Sequence, residues 1–247
     1  MTIINSNEEK PVIRYTMGKV SSAGWEILTE SVRLNKKIYP EFDIVVCHNK
    51  LNDAEIEKLN KLEVNLIKQD EILPSFDFED TDEGRIRNFC WKLIPARIRK
   101  NAHELWVDND IIFRGRIEGI DKWLKSNTSI ISTGFNHDYG CFIKKLQYKE
   151  AFCAGLFGLP PHFDFESEIK KQCEGIKLKG FDEQGLVSLI VTGFEDYMVL
   201  RQDEVRMLGE GWKIKGIKFF PNGLHFARAN RFADHNSWKY YKLVVNP

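Results

Sequence analysis

ELWVDNDIIF, residues 104–113, is an apolar run broken by two carboxylates, Asp108 and Asp110, on either side of Asn109. Its aromatic and β-branched residues predict a strand. Side chains two apart on a strand project to one face, with Cα atoms about 6.6 Å apart at ~3.3 Å per residue. Two unpaired carboxylates there repel each other and lose hydration. A divalent cation carrying phosphate oxygens relieves both costs. Ligands of open α/β sheets sit beyond the carboxyl ends of the strands, and the acids directly follow the apolar ELWV. The competing reading is a solvated strand end or turn, whose Asp and Asn serve local hydrogen bonds.

The flanking sequence supplies the sheet. PVIRYTM (11–17) reads as a strand, and SAGWEILTESVRLNKK (22–37) as a helix with Trp25, Leu28 and Val32 on one face. FDIVVCHN (42–49) has the continuous apolar character of a strand buried on both faces. NDAEIEKLNKL (52–62) predicts a helix capped by Asn52 with Glu55 completing a capping box, and VNLIKQ (64–69) a third strand. This alternation predicts a parallel sheet with right-handed crossovers. An acidic loop (74–84) precedes a basic helix over 85–100, bent at Pro95. Beyond the acidic pair the pattern predicts helices at 118–126, 163–173 and 182–191, and strands at 128–135, 152–160 and 216–222. No linker divides the chain, so 1–247 reads as a single α/β domain.

Composition narrows the function. Lys plus Arg equals Asp plus Glu, 36 each, so no overall field recruits nucleic acid or an anionic membrane. Five cysteines lie far apart, without a CxxC pair. That pattern predicts reduced thiols in a cytoplasmic protein, with neither a zinc site nor a disulfide framework. The N-terminus carries no apolar signal segment, and no run reaches the ~18 apolar residues of a membrane span. Neither the phosphate-loop pattern nor the dinucleotide glycine fingerprint occurs, which argues against NAD.

Five pieces follow one another in an order that resembles a known family. They are a basic segment (GRIRNFCWKLIPARI), the acidic pair (LWVDNDIIF), a small-residue strand (FCAGLFGLP), an acid-amide cluster opening a helix (FDEQGLVSLI), and a late histidine (GLHFARANR). Over residues 11–231 this resembles the GT-A-fold, DxD-containing, nucleotide-sugar-dependent glycosyltransferases. The resemblance implies a Rossmann-like domain with a central, mostly parallel sheet flanked by helices. The nucleotide-binding part would cover about residues 11–115, and the acceptor- and metal-completing part about 116–247. It implies a metal-dependent hexosyltransferase-like enzyme using Mn²⁺ or Mg²⁺ and a donor such as a UDP- or GDP-sugar. The acceptor would be a glycan, a lipid-linked molecule or a protein, with a peripheral membrane location compatible.

The resemblance also implies site residues. Asp108, Asp110 and His225 would hold the metal. Tyr15, Thr16 and Met17 at the end of the first strand, with Lys92, Asp108, Asn109, Gly155 and Arg228, would contact the donor. Arg231 lies three residues beyond Arg228, so both can face one diphosphate. Asp182 and Glu183 are the candidate catalytic carboxylates. Asp182 reads equally as a helix cap. Asn136, His137, Asp138 and Tyr139 have the polar and aromatic character that suits sugar recognition, and also that of an ordinary loop. Family members carry Asn-Ala-Gly where this chain has Cys153-Ala154-Gly155. The departure removes a side-chain contact and leaves the backbone role of Gly155. Two other readings are a non-catalytic nucleotide-sugar or glycan-binding protein on the same fold, and a sugar-phosphate nucleotidyltransferase. The latter needs a Gly-rich basic signature that TMGKVSSAG (16–24) matches poorly.

Overall fold

A computed structural model describes residues 9–79, 89–146, 150–180, 182–194, 196–209, 220–229 and 235–245. The first half follows the predicted alternation: β1 (Val12–Met17), α1 (Ser22–Ile38), β2 (Asp43–His48), α2 (Asp53–Asn60) and β3 (Asn65–Lys68). Ser21 caps α1 by accepting from Gly24 N at 3.1 Å. Asn52 and Glu55 form a reciprocal capping box at α2. β4 (Glu104–Val107) is followed by β5 (Ile111–Phe113), α3 (Glu118–Trp123), β6 (Ser129–Thr133), β7 (Phe152–Leu159) and α4 (Phe165–Gln172). Then come α5 (Asp182–Thr192), β8 (Tyr197–Leu200), β9 (Val205–Met207), β10 (Gly223–His225) and α6 (Asn236–Val245).

Seven strands form the main sheet in the order β3-β2-β1-β4-β7-β6-β8. β7 runs antiparallel to both β4 and β6, and the other neighbouring pairs are parallel. Alternating side chains bury both faces. Ile13, Tyr15 and Met17 of β1 pack with Leu28 and Val32 of α1, and Leu105 and Val107 of β4 join them. Trp106 points to the opposite face, stacked on Phe157 at 4.7 Å and packed with Phe165, Leu186 and Ile190 beneath α4 and α5. A three-stranded sheet, β5-β10-β9, lies beside the first and packs on α1 and α6 through Ile112, Leu224, Phe226, Trp238 and Tyr241. No helix among the described residues is long and apolar enough to cross a membrane.

Three predicted elements differ. The strand over 104–113 is not continuous, because the chain turns at Asp108–Asp110 and leaves the main sheet for the small one. The basic helix is confined, among the described residues, to a 3-10 segment at Phe89–Leu93. Side chains occupy the carbonyls a longer helix would use. Gln69 Nε2 donates to Trp91 O and Ile94 O, both at 2.5 Å, and Arg14 donates to Ile94 O and Pro95 O, both at 2.6 Å. Pro95 itself supplies no N–H to continue a helix. The late strand is Gly223–His225, and most of 216–222 lies outside the described residues, as do Arg85, Arg87 and Arg231.

One buried polar cluster fixes the segment that leads into β4. Glu104 and Arg14 are fully buried. Glu104 Oε1 meets Arg14 Nη1 at 3.3 Å, while Oε2 accepts from Ile98 N at 2.8 Å and Arg97 Nε at 3.3 Å. The Arg14 guanidinium also lies 5.2 Å from the Trp106 ring centre. Removing one member of such a pair strands the other charge in the core, at about 3–5 kcal/mol. Glu104→Ala is expected to lower unfolding free energy by that amount in urea titrations. Glu104→Gln, which keeps an acceptor oxygen, is expected to lose less.

Candidate active site

The chemistry gathers where β4 ends. Asp108 N donates to Gly155 O at 2.7 Å, which pins the exit of β4 to β7. Ile111 N then donates to Asp108 O at 3.1 Å, closing the turn that carries both acids. Antiparallel pairing of β5 with β10 sets His225 opposite Ile111, and Phe226 N donates to Asp110 O at 2.8 Å. A histidine 115 residues beyond Asp110 is therefore delivered by sheet register (225 − 110). Ligand atoms of Asp108, Asp110 and His225 lie within 4.8 Å of one another. His225 Nε2 approaches Asp110 Oδ1 at 3.1 Å.

Gly155 makes this packing possible. A Cβ there would stand 2.8 Å from His225 Cε1 and 2.9 Å from Asp108 Oδ2. A side chain would occupy the space between the acid and the imidazole, so glycine in this central strand has a steric cause.

Lys92 faces the same point from the 3-10 segment. Its Nζ lies 2.7 Å from Asp108 Oδ1, 2.9 Å from Glu183 Oε1 and 3.1 Å from Ala154 O. Burial alone would depress the Lys92 pKa, but the two carboxylates outweigh it and hold the ammonium charged. Burial pushes Glu183 up, and a lysine shared with Asp108 offsets this only in part. Burial likewise works against charging His225, yet the Asp110 carboxylate holds its pKa well above the ordinary value. Although both are in ion pairs, Asp110 Oδ1 and Glu183 Oε1 are buried oxygens with no donor aligned on them for a hydrogen bond.

These groups line a pocket of about 470 Å³ with Phe89, Phe135, Asn136, Asp138, Cys153, Gln184, Met207 and Arg228. Its charged lining comprises four acids (Asp108, Asp110, Asp138, Glu183) and two bases (Lys92, Arg228). Counting His225 charged, as the Asp110 carboxylate holds it, that is a net −1, a field that favours a divalent cation. Two carboxylates and an imidazole form a donor set suited to Mn²⁺, and their oxygens suit Mg²⁺. The unaligned Asp110 oxygen has a lone pair for such an ion, so the residues fit one. A larger hollow, about 580 Å³, lies between α1, α2 and α6. Charges there are already engaged: Glu26 with Lys242 and Trp238, and Lys58 over the Trp25 ring.

Several predicted residues sit elsewhere. Tyr15 and Met17 are fully buried in the core, and the Tyr15 hydroxyl bonds Ser31 at 2.7 Å and Asn35 at 2.6 Å. They face α1 because strand alternation sends them there, so neither lines the pocket; Thr16 points to the other face. Asn109 is buried and outside the pocket lining. Asp182 is a structural clamp. Its Oδ1 accepts from Cys141 N and its Oδ2 from Lys179 N, both at 2.7 Å, and Gly140, at φ +51, leaves room for the carboxylate. Tyr139 is fully buried, its hydroxyl accepting from Phe152 N at 2.9 Å, while Asn136 and Asp138 reach the pocket. Phe89, Phe135 and Met207 were not foreseen. Phe135 sits in the polar loop already singled out, whereas Met207 arrives by the pairing of β9 with β10, which no local signal announces.

Comparison with known proteins places this fold. No family model matches the chain, and no curated protein does. Solved structures match along most of its length. The bifunctional glycosyltransferase WbbM superposes with a TM-score of 0.58 at 13% identity, over 90% of this chain and 46% of its own. The galactosyltransferase LgtC, in complex with donor and acceptor sugar analogues, gives 0.58 at 11% identity, over 94% of each chain. The glycosyltransferase GlyE of Streptococcus pneumoniae gives 0.53 at 13% identity, over 96% of this chain and 61% of its own. This chain thus spans less than half of WbbM and under two thirds of GlyE.

Two substitutions test the assignments. Asp182→Asn turns one acceptor into a donor against a backbone N–H. It is expected to cost about 1–3 kcal/mol in thermal or urea melts. Arg228 has φ +76, a left-handed conformation that disfavours a side chain by roughly 1–2 kcal/mol. Arg228→Gly is expected to raise Tm by about 2–4 °C or more, measured by scanning calorimetry. The central sheet, its flanking helices and the acidic pair at the end of β4 together give this chain the GT-A-type fold of these glycosyltransferases.

Proposed function

We propose that this protein is a metal-dependent glycosyltransferase, moving a sugar from a nucleoside diphosphate sugar to an acceptor hydroxyl. The observation that carries the proposal is the convergence of Asp108, Asp110 and His225 within 4.8 Å on the wall of the pocket. As the sugar–phosphate C–O bond breaks, negative charge grows on the departing diphosphate, and catalysis needs positive charge there. Asp108, Asp110 and His225 would hold a Mn²⁺ or Mg²⁺ ion, which supplies that charge when bound.

The chain's own residues divide the remaining work. Arg228 lines the pocket and offers a forked guanidinium to phosphate oxygens. Lys92, already shared between Asp108 and Glu183, holds the two carboxylates in place and keeps their repulsion in check. Glu183 sits in the first turn of α5, where the helix dipole favours a carboxylate, and faces the pocket. It is the side chain we assign to the sugar and the acceptor proton. Asn136, Asp138 and Gln184 offer hydrogen bonds to sugar hydroxyls, and the exposed Phe135 ring offers an apolar face. Thr16, whose hydroxyl is buried and has no partner among the described residues, stands at the carboxyl end of β1 and is the residue of that strand we assign to the nucleoside.

Isothermal titration with UDP and GDP, with and without Mn²⁺ or Mg²⁺, tests the reading. One nucleotide is expected to bind at least tenfold more tightly with metal, and Asp110→Asn is expected to abolish that increment. Nucleotide affinities indifferent to metal would sink the proposal.

A further inference from the structure

We infer that the Cys153 thiol is the positioning partner of His225, holding the imidazole in the tautomer that presents Nε2 to the cation. The inference rests on the metal reading above and concerns a residue at which this chain departs from the Asn of the family it resembles. Cys153 lies in β7, is 6% exposed, and lines the pocket. Its Sγ lies 3.9 Å from His225 Nδ1. From the other side, Sγ accepts from Gly155 N at 3.3 Å.

The physical reason is the chemistry of a ligating imidazole. A ring that gives the lone pair of one nitrogen to a cation carries its proton on the other, and that N–H needs an acceptor. With Nε2 given to a cation on the Asp110 side of the ring, the one remaining ring proton must sit on Nδ1, whose neighbour is the sulfur. A thiol sulfur has lone pairs to accept weakly from both the Gly155 N–H and the Nδ1–H. Were the thiol to donate to Nδ1 instead, Nε2 would keep its proton and repel a cation. A second, independent feature points to the same ligand: Asp110 Oδ1, on the far side of Nε2, is buried with no donor aligned on it. The sulfur thus stands at one ring nitrogen of His225 and the Asp110 carboxylate at the other.

Mn²⁺ alone, titrated into the full chain without nucleotide and followed by the EPR signal of the free ion, gives the direct test. Cys153→Ala is expected to weaken Mn²⁺ binding about tenfold, the lower end of what an outer partner of a metal-binding histidine contributes. Cys153→Ser keeps an acceptor in nearly the same place and is expected to recover most of the loss. Nitrogen-15 shifts of His225 with Mg²⁺ bound supply a readout that loss of packing would not move. A protonated Nδ1 is expected in the wild type and in Cys153→Ser, and mixed tautomers in Cys153→Ala. Cys153→Ala binding Mn²⁺ as tightly as wild type, with an unchanged tautomer, would overturn the role of Cys153 and leave the metal reading intact. Equal losses in Ala and Ser would also overturn it. A wild type that takes up no Mn²⁺ would overturn the metal reading and this inference together.

Discussion

Three carboxylates and one ammonium at the end of β4 are the constraint on which the site depends. Asp108, Asp110 and Glu183 converge there, and Lys92 is placed to neutralise two of them. A fully desolvated carboxylate is so costly that such groups are paired, hydrogen-bonded or bound to metal. Here every carboxylate faces an ammonium or an imidazole, yet one oxygen of Asp110 and one of Glu183 have no donor aligned on them for a hydrogen bond. An arrangement chosen only for stability would replace some of these charges by apolar side chains. Keeping them makes sense where a ligand completes the balance. The requirement then works backwards through the fold, because each charge must be held within an ångström or so by backbone that cannot drift.

Four strands provide that hold. The exit of β4 is tied to Gly155 in β7, β5 is tied to β10, and β10 brings His225 to Asp110. The site is thus a seam between the main and small sheets, not the end of one strand. Lys92 depends on a different support. The Glu104–Arg14–Arg97 cluster and Gln69 fasten residues 91–104 to the sheet by capturing carbonyls and amides that no helix uses. Arg14 Nε and Gln69 Oε1 have no hydrogen-bond partner among the described residues, as Asp110 Oδ1 and Glu183 Oε1 have none in the pocket. What separates the two clusters is access: Glu104 and Arg14 are sealed in the core, whereas Asp108, Asp110 and Glu183 line a cavity that a ligand can enter.

Much of this was legible in the sequence because it is local. Strands β1 to β3, helices α1 and α2, and the Asn52–Glu55 capping box follow from periodicity and capping chemistry within a few residues. Asp108 and Asp110 drew notice because charge interrupts an apolar run. What escaped was non-local. The break after Val107 depends on Gly155 O accepting the Asp108 amide, 47 residues away (155 − 108), and on a second sheet for IIF to join. Asp182 and Glu183 are adjacent acids at a helix start, and composition cannot separate them. Helix phase does, sending Asp182 to the amides of Cys141 and Lys179 and Glu183 to Lys92. Tyr15 illustrates the same limit: strand alternation alone places it on the core face with Met17, whichever face the ligand uses.

Glycine and cysteine in β7 connect these levels. Gly155 is required because acid and imidazole would both meet a Cβ, and its N–H is then free to fix the sulfur two residues earlier. Neighbouring residues two apart on a strand share a face, so Cys153 and Gly155 both look toward His225. One provides the space in which the ring sits, and the other provides an atom beside Nδ1. A large side chain at 155 would displace the imidazole, and an apolar one at 153 would leave its N–H without an acceptor. Within the small-residue run FCAGLFG, what reads as weak strand propensity is therefore the fit of β7 to a histidine delivered from the other sheet.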